Sequence, residues 1–248
     1  MFSLYHNVYI SIFFSQKNME KSLDYKEVTV VIPTVNEEKN IEKLVTLLKK
    51  TYKGIQIIIV DDGSKDNTQN VAKRAGAQVI DRSKKPIHGL CISVIEGVLS
   101  TKTKYVIIMD GDMQHPYEKI GEFVEKLKHC PVVVGTREQV LSDWPFHRRF
   151  MSKIAILLGK FRLFLSGVSC KDIVSGFFGM HTDLFKNIII TKYSKYELKG
   201  YKVLFDTLKY LPRGTKVYQV KYDFGLRAEG VSKINYKHVL YYFRSLFR

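Results

Sequence analysis

Short apolar runs alternate with amphipathic segments of helical period from residue 28 onwards, and this alternation restricts the fold more than any other feature. The runs cover residues 28–32, 55–60, 77–80, 105–109 and 132–134. Their length and their valine and isoleucine content are typical of strands buried on both faces. Because helical segments join them through short connections, we predict an α/β fold with a single, mostly parallel, doubly wound sheet flanked by helices.

An acidic turn directly follows the run at 105–109. It consists of Asp110, Gly111 and Asp112, with Gln114 just behind them. Carboxylates at i and i+2 on an extended backbone point the same way, and their charges repel unless a cation lies between them. Ligands of open α/β sheets bind at the carboxyl ends of strands, which is where this pair falls. The turn therefore predicts a site for a divalent metal that carries a polyphosphate ligand, with a solvated loop as the alternative.

Two further polar turns follow the first two apolar runs. Asn36 is expected to cap a helix whose first turn holds Glu37. Asp61 and Asp62 form a second acidic turn, and Asp66 is expected to cap the helix behind it. A second acidic turn at another strand end favours the functional interpretation of the first.

Charge and cysteine content limit the partners. The 248 residues include 40 Lys and Arg against 24 Asp and Glu, a formal net charge of +16. Such an excess suits an anionic partner, whether a phosphorylated substrate, a membrane face or a nucleic acid. Cys91, Cys130 and Cys170 are far apart and form no CxxC pair, which favours free thiols in a reducing compartment over a zinc site.

The two ends of the chain differ from its middle. We expect residues 1–26 to be an extension, because residues 1–18 are rich in aromatic residues but lack the basic region and cleavage site of a signal peptide. Met19 is an alternative start of the chain. Residues 27–233 are predicted to form one globular domain and residues 234–248 an amphipathic helix. No segment reaches the roughly 18 apolar residues of a spanning helix.

Two predicted helices carry apolar stripes beside basic residues. The first stripe consists of Ile154, Leu157, Leu158, Phe161 and Leu165, with Lys153, Lys160 and Arg162 around it. The second consists of Val239, Tyr242, Phe243 and Leu246, between Lys237, Arg244 and Arg248. Each stripe has two interpretations: the core face of a packed helix, or a face that lies in a membrane interface.

Several motifs occur in order along the chain. They read VVIPTVNEEKNI, IIIVDDGSKDNT, IIMDGDMQHP, VGTR, DIVSGFFG and LRAEGVSK. In this order and spacing the chain resembles a family 2 glycosyltransferase of the GT-A fold, near the dolichol-phosphate mannosyltransferases, over about residues 27–235. The first three motifs are widely shared among family 2 enzymes, whereas the SGF and R-x-x-G-x-S-K elements are more particular to the branch that acts on polyprenyl phosphates.

This resemblance implies roles for the matching residues. The nucleotide would lie along Pro33, Val35, Glu37, Asp61 and Asp62, and Mg²⁺ or Mn²⁺ would be held against the donor diphosphate by Asp110, Asp112 and Gln114, with Gly111 beside them. The phosphates of donor and acceptor would be surrounded by Arg137, Arg148 or Arg149, Ser152, Arg227, Ser232 and Lys233, with Ser175 and Gly176 on the acceptor side. The residues expected to act in catalysis are Asp112, Arg137, Arg227 and Lys233.

Motifs that are absent from the sequence also bear on which branch of this family it resembles. It contains neither a Glu-Asp dipeptide nor the Gln-x-x-Arg-Trp motif of processive synthases. A phosphomonoester acceptor needs no base, because its second pKa is roughly 6 and the attacking oxygen is already anionic. Two positions depart from the family pattern: residues 84–89 replace a glycine-rich basic turn, and Phe178 replaces a common Arg or Lys. Both are expected near the place where sugar and lipid phosphate meet, so the identity of the sugar stays open.

Together these features predict a metal-dependent, inverting transfer of a hexosyl group, mannose from GDP-mannose, to dolichyl or polyprenyl phosphate. The protein is expected to be peripheral at the cytoplasmic face of a membrane, attached through amphipathic helices or a partner subunit. The alternatives are another donor, such as UDP-glucose or an N-acetylhexosamine nucleotide, and a saccharide hydroxyl as the acceptor. Nucleotidyl transfer is a competing class. A nucleic-acid-binding module would leave Asp110 and Asp112 without a purpose, and we expect no nucleic-acid partner.

Overall fold

A single mixed sheet forms the centre of the molecule. A computed structural model describes residues 24–138, 146–225 and 236–248, with side chains at 24–138, 156–225 and 240–248. The strands are β1 (Val28–Thr34), β2 (Gln56–Asp61), β3 (Gln78–Asp81), β4 (Tyr105–Ile108), β5 (Val132–Arg137), β6 (Phe178–His181) and β7 (Val217–Tyr222). They form a seven-stranded sheet in the order β3-β2-β1-β4-β6-β5-β7. Only β6 runs antiparallel to its neighbours, so the predicted α/β fold with a mostly parallel sheet is confirmed.

Helices cover both faces of this sheet. They are α1 (Glu38–Thr51), α2 (Thr68–Arg74), α3 (Leu90–Ser100), α4 (Ile120–Leu127), α5 (Phe146–Leu165), α6 (Thr182–Lys192), α7 (Val203–Leu208) and α8 (Tyr236–Phe247). Short 3-10 helices lie at Tyr25–Glu27, Tyr117–Lys119 and Tyr193–Lys195. The predicted strands and helices up to β5 are found within a few residues of their expected ends. Strands β6 and β7 and helices α6 and α7 had not been predicted.

The core has two layers because the central strands are buried on both sides. In β1, Val31 packs with α3 on one face, while Val30 and Ile32 pack with α1 on the other. All three side chains are fully buried. This explains why the run at 28–32 is continuously apolar rather than alternating.

The two amphipathic stripes have opposite environments. In α8, Tyr242 and Leu246 are buried in the core, so the packing interpretation is confirmed for these two residues, while the side chain of Val239 lies outside the described ones. In α5, the described stripe residues face outward, with Leu157 68% and Phe161 60% exposed, and Phe164 adds another exposed ring. The buried side of α5 is formed instead by residues such as Leu163. None of the helices among the described residues is long and apolar enough to cross a membrane.

Candidate active site

The turns that carry the predicted site residues meet at one edge of the sheet. Strands β1, β2 and β4 are parallel neighbours, so the segments that follow Thr34, Asp61 and Ile108 leave the sheet on the same side. Strand β6 is reversed, and its first residue, Phe178, pairs with Ile108. The turn that precedes β6 therefore joins this edge from the opposite direction.

Hydrogen bonds join the turn after β1 to the turn after β2. The backbone N–H of Glu37 donates to Thr68 Oγ1 (2.9 Å), and that of Glu38 donates to Asp66 Oδ2 (3.2 Å). Asn36 lies in the left-handed region with φ 51°. Its Oδ1 accepts from Lys65 N (2.7 Å).

The prediction that Asn36 caps α1 is therefore wrong. The first turn of α1 is capped by Asp66, a residue distant in sequence, and Asp66 also accepts from Thr68 N at the start of α2 (3.1 Å), as predicted. Burial raises the pKa of Asp66, but the hydrogen bonds from Thr68 and Glu38 outweigh it and lower the pKa overall. These links position Val35 and Glu37 beside the second acidic turn.

The two carboxylates of that second turn differ in their surroundings. Asp61 is fully buried and accepts from Thr34 Oγ1 (3.1 Å), Ser64 N (2.9 Å) and Gln69 Nε2 (3.0 Å). These hydrogen bonds hold the turn in shape.

Asp62 is instead fixed from the loop that precedes α3. It accepts from Gly89 N (2.6 Å), and His88 Nδ1 lies 3.0 Å from its Oδ1. The guanidinium of Arg82, itself 1% exposed, lies 3.3 Å from the same oxygen and also donates to Glu96 (2.7 Å). No periodicity in the sequence indicated Arg82 or His88, because their contact with Asp62 is made across the chain.

The acidic turn after β4 is compact. The strand ends at Ile108, and Met113 has a left-handed φ of 66°, so Asp110 and Asp112 lie in a bend rather than on the extended backbone that was predicted. The side chain of Asp110 is 33% exposed, whereas Asp112 is 5% exposed and its Oδ1 accepts from Gln114 N (3.1 Å).

Gln114 connects this turn to the end of the β7 segment. Its side-chain amide nitrogen donates to the Gly225 carbonyl oxygen (3.0 Å), and Gly225 N donates back to the Gln114 carbonyl oxygen (3.1 Å). If Gln114 is a metal ligand, as the resemblance implies, it must use its amide oxygen.

A buried histidine supports the acidic turn from behind. His115 is 2% exposed, and its Nδ1 accepts from Asp110 N (3.0 Å). The ring stacks on Phe177 with centroids 5.2 Å apart, and Phe224 meets its edge. Burial lowers the pKa of His115 to about 4, although the charge of Asp112 opposes the shift. The imidazole is therefore neutral near pH 7, as its acceptor role requires.

Across the acidic turn lies a fixed cation. Arg137, at the end of β5, donates from Nε to Asp172 Oδ2 (2.8 Å) and from Nη2 to Asp172 Oδ1 (3.0 Å). Burial lowers the pKa of Arg137, but the hydrogen bonds and charge of Asp172 raise it above its usual value. Paired guanidinium and carboxylate groups of this geometry fix each other's orientation.

Ser175 and Gly176 lie between Arg137 and the acidic turn. Ser175 is buried, donating to the Phe177 carbonyl oxygen (3.1 Å) and accepting from Phe177 N (3.2 Å). A Cβ on Gly176 would stand 3.0 Å from Asp110 Oδ2, a tight contact, so the absence of a side chain at Gly176 lets the carboxylate come this close to the backbone without strain. Phe178, which was expected near the place where sugar and lipid phosphate meet, begins β6 opposite Ile108, and its side chain is fully buried in the core.

Other predicted site residues lie outside the described part of the molecule. Arg148, Arg149 and Ser152 belong to α5 at positions where only the backbone is described. Arg227, Ser232 and Lys233 fall in residues 226–235, outside the described ranges. A cavity of about 300 Å³ lies away from the acidic turn, between Tyr193, Glu197, Arg244 and Arg248, and contains no predicted site residue.

The donor groups at the acidic turn fit a hard divalent cation. No group of three or more His, Cys, Asp and Glu side chains within the described ranges could hold a metal by itself. Mg²⁺, however, commonly binds through one or two carboxylates plus the phosphates of a substrate. Asp110 and Asp112 supply such carboxylates, and the missing side chain of Gly176 leaves space at Asp110.

The fold and the strand-end acidic turn define an α/β protein with a candidate ligand site at the carboxyl edge of its sheet. Residues 29–189 match Glycosyl transferase family 2, and the chain belongs to this family. A dolichol-phosphate mannosyltransferase of Pyrococcus furiosus is 33% identical over 236 residues, which are 90% of this chain and 63% of that protein. The enzyme of the same name from Saccharomyces cerevisiae is 29% identical, covering 89% of this chain and 85% of its own length.

Solved structures agree on the fold. A glucosyl-3-phosphoglycerate synthase from Mycobacterium tuberculosis, in complex with Mn²⁺, UDP-glucose and phosphoglyceric acid, aligns with a TM-score of 0.61. The alignment covers 91% of this chain and 81% of that one, at 17% identity. The predicted family and GT-A-like fold are thereby confirmed, and the protein is a glycosyltransferase related to dolichol-phosphate mannosyltransferases.

Proposed function

We propose that this glycosyltransferase moves a hexosyl group, mannose from GDP-mannose, onto a dolichyl or polyprenyl phosphate. The observation that carries the proposal is the position of the acidic turn, which lies between a set of interlocked polar turns and a fixed cation. On one side are the interlocked turns after β1 and β2, and on the other is the Arg137–Asp172 pair. The names of the relatives support the choice of sugar and acceptor.

The chain's own residues account for the main requirements of such a transfer. The interlocked turns would hold the nucleotide, with Asp62 fixed by Gly89 and Arg82. Asp110 and Asp112 would hold Mg²⁺ or Mn²⁺, which offsets the negative charge of the leaving nucleoside diphosphate when bound. Arg137 would attract the anionic acceptor.

The reaction is then a single in-line displacement. An oxygen of the acceptor phosphate attacks the anomeric carbon and forms the new C–O bond, while the bond from that carbon to the donor's β-phosphate oxygen breaks. The electron pair leaves with GDP, and the anomeric configuration inverts to a β-linked product. No protein base is needed, because a phosphomonoester with a second pKa of roughly 6 is already an anion.

Attachment to the cytoplasmic face of a membrane is part of the proposal. The outward stripe of α5 offers Leu157, Phe161 and Phe164, and the exposed Lys160 lies on the same helix. An apolar face flanked by cations suits an interface of anionic lipids. The net charge of +16 acts in the same direction.

Replacing Asp112 tests the proposal. Because Asp112 Oδ1 accepts from Gln114 N, the Asp112→Asn variant keeps the hydrogen bond and loses only the charge. We expect transfer from labelled GDP-mannose to dolichyl phosphate to fall by about a hundredfold or more. The control is Glu118→Ala, an exposed carboxylate a short distance along the chain, which should leave the rate unchanged.

The same assay separates the alternatives. Wild-type protein is offered GDP-mannose and UDP-glucose, each with dolichyl phosphate and with free saccharides. Organic-soluble product from GDP-mannose supports the proposal, whereas product only from UDP-glucose or only on saccharides contradicts it. Full activity in Asp112→Asn, with unchanged thermal unfolding, would refute the metal role.

A further inference from the structure

A lysine distant in sequence from every predicted site residue reaches the acceptor side of the acidic turn. Lys202 immediately precedes α7 and is partly buried. Its Nζ donates to the Val174 carbonyl oxygen (3.3 Å) and lies 4.0 Å from the centroid of the Tyr201 ring. Val174 directly precedes Ser175 and Gly176, so the ammonium group is held against the turn that approaches Asp110.

The charges around Lys202 belong to the site already described. Burial, helped by the positive charge of Arg137, lowers the pKa of Lys202 to about 7, while Asp172 and Asp110 oppose the shift. Asp172 is already engaged by two hydrogen bonds from Arg137. Lys202 forms no ion pair with a carboxylate within the described ranges; a carbonyl oxygen and an aromatic ring hold it in place.

A buried tyrosine hydroxyl lies near the same charged residues. Tyr222, at the end of β7, is 3% exposed. Its hydroxyl lies near the side chain of Ser175 but makes no hydrogen bond of good geometry within the described ranges. Burial raises its pKa, with Arg137, Asp172 and Asp110 as its charged neighbours. Buried hydroxyl groups are usually hydrogen-bonded, so the Tyr222 hydroxyl, with Arg137 among its charged neighbours, is in a position to donate to a ligand oxygen.

The order of the strands indicates which substrate would lie beside Lys202. Asp110 follows β4, the nucleotide turns follow β1 and β2 on one side, and Arg137 follows β5 on the other, beyond β6. Lys202 contacts the turn before β6 and lies among Arg137, Asp172 and Asp110, away from the nucleotide turns. It is therefore on the side from which the acceptor must approach.

We propose that Lys202 binds the phosphate of the acceptor and, with Arg137, makes this site select a phosphomonoester. The inference rests on the proposed function and adds to it a residue that neither the motifs nor the resemblance indicated. Because Asp172 is paired with Arg137, Lys202 adds a positive charge at this turn that no carboxylate of the described ranges engages, and this charge can compensate an incoming phosphate. The anion also gains a donor in the Tyr222 hydroxyl.

The test compares Lys202→Met with Lys199→Met. Lys199 is an exposed lysine three positions earlier, so its variant controls for the loss of one charge. For Lys202→Met we expect the KM for a short, water-soluble prenyl phosphate to rise by about tenfold or more, and the KM for GDP-mannose to stay within about twofold. Lys202→Arg should recover much of the acceptor affinity. Equal rises in both KM values, or no rise, would overturn the assignment.

An equilibrium measurement separates this inference from the proposed function. Thermal unfolding is followed with added prenyl phosphate, and separately with inorganic phosphate, because a ligand that binds the folded state raises the Tm. We expect prenyl phosphate to stabilise wild-type and Lys199→Met protein but not Lys202→Met. If inorganic phosphate gives the same pattern, the site recognises the phosphate alone.

Failure of the proposed function and failure of the inference about Lys202 would give different results. If the proposed function is wrong, wild-type protein shows no transfer, yet the Lys202-dependent stabilisation by phosphate persists. If the inference is wrong, wild-type and Lys202→Met protein are stabilised equally. Should Lys202→Met fail to fold, Lys202→Gln provides the same comparison with a neutral polar side chain.

Discussion

His115 gives this fold a pH dependence that can be calculated and measured. The imidazole is 2% exposed and accepts the N–H of Asp110 through Nδ1 (3.0 Å). Burial lowers its pKa from 6.5 to about 4. Protonation would place a second donor against the Asp110 N–H and a charge between the Phe177 and Phe224 rings.

Whether stability rises or falls with pH depends on how many protons the folded and the unfolded chain bind. Between pH 4 and 6.5 the unfolded chain binds a proton at His115 that the folded chain does not, so stability is complete above 6.5 and is lost as the pH falls towards 4. The difference between a pKa of 6.5 and one of about 4 corresponds to about 3.4 kcal/mol in total. Between roughly pH 7 and pH 5, the expected loss in the free energy of unfolding is about 2 kcal/mol.

The perturbation is His115→Asn, because the Asn carbonyl oxygen can replace Nδ1 as an acceptor without titrating. Urea unfolding is measured at both pH values with a chelator present, since a bound metal would stabilise the folded state by itself. The variant will be less stable at every pH because it fills less space. The quantity compared is the change with pH, which should be about 2 kcal/mol smaller in the variant.

Other groups titrate in the same range, so a second histidine provides the control. His129 has a side chain that is 74% exposed, and His129→Asn should leave the pH dependence of wild-type stability unchanged. Parallel pH curves for wild-type and His115→Asn protein would show that His115 is not held neutral by burial, and the reasoning would be refuted.

Two further predictions concern other parts of the molecule. Gly176→Ala places a Cβ 3.0 Å from Asp110 Oδ2, so we expect transfer activity to fall by about tenfold with a small change in Tm. The control is Gly121→Ala, where the nearest contact of the added Cβ is 3.4 Å and activity should be full. Equal activity in the two variants would contradict the close approach of Gly176 to Asp110. Phe161→Ser on the exposed stripe of α5 should reduce co-sedimentation with anionic vesicles by about tenfold without lowering Tm, because this ring is 60% exposed. Leu99→Ser, at the end of α3, should bind vesicles normally, and unchanged binding by Phe161→Ser would exclude α5 as the membrane face.

Local patterns were sufficient for the elements that surround the acidic turn. The apolar run before Asp110 predicts β4 because burial on both faces requires a continuous apolar segment. The position of Asp110 and Asp112 just beyond it then follows from sequence alone. Strand β7, with Val220 buried beside the exposed Lys221, carries the alternation of a half-buried strand, whereas β6 is too short and glycine-interrupted to be predicted.

Contacts across the chain account for what the sequence could not predict. Asp66 takes the place of Asn36 at the first turn of α1 because folding brings the two turns together, whereas only Asn36 lies close to that helix in the sequence. Arg82 and Lys202 reach the site from elements whose placement depends on the whole sheet. A lone basic residue in a chain with 40 of them gives no local sign of such a position.

The sequence by itself determined the family, the mostly parallel sheet and the acidic turn, because these depend on periodicity and on residues close together in the chain. Tertiary structure alone decided which apolar stripe faces outward: α5 leaves Phe161 exposed, while α8 buries Tyr242. Tertiary structure also decided that Lys202 lies near Asp110 together with Arg137. Periodicity tells which side chains share a face of a helix, but what that face contacts depends on how the other elements pack against it.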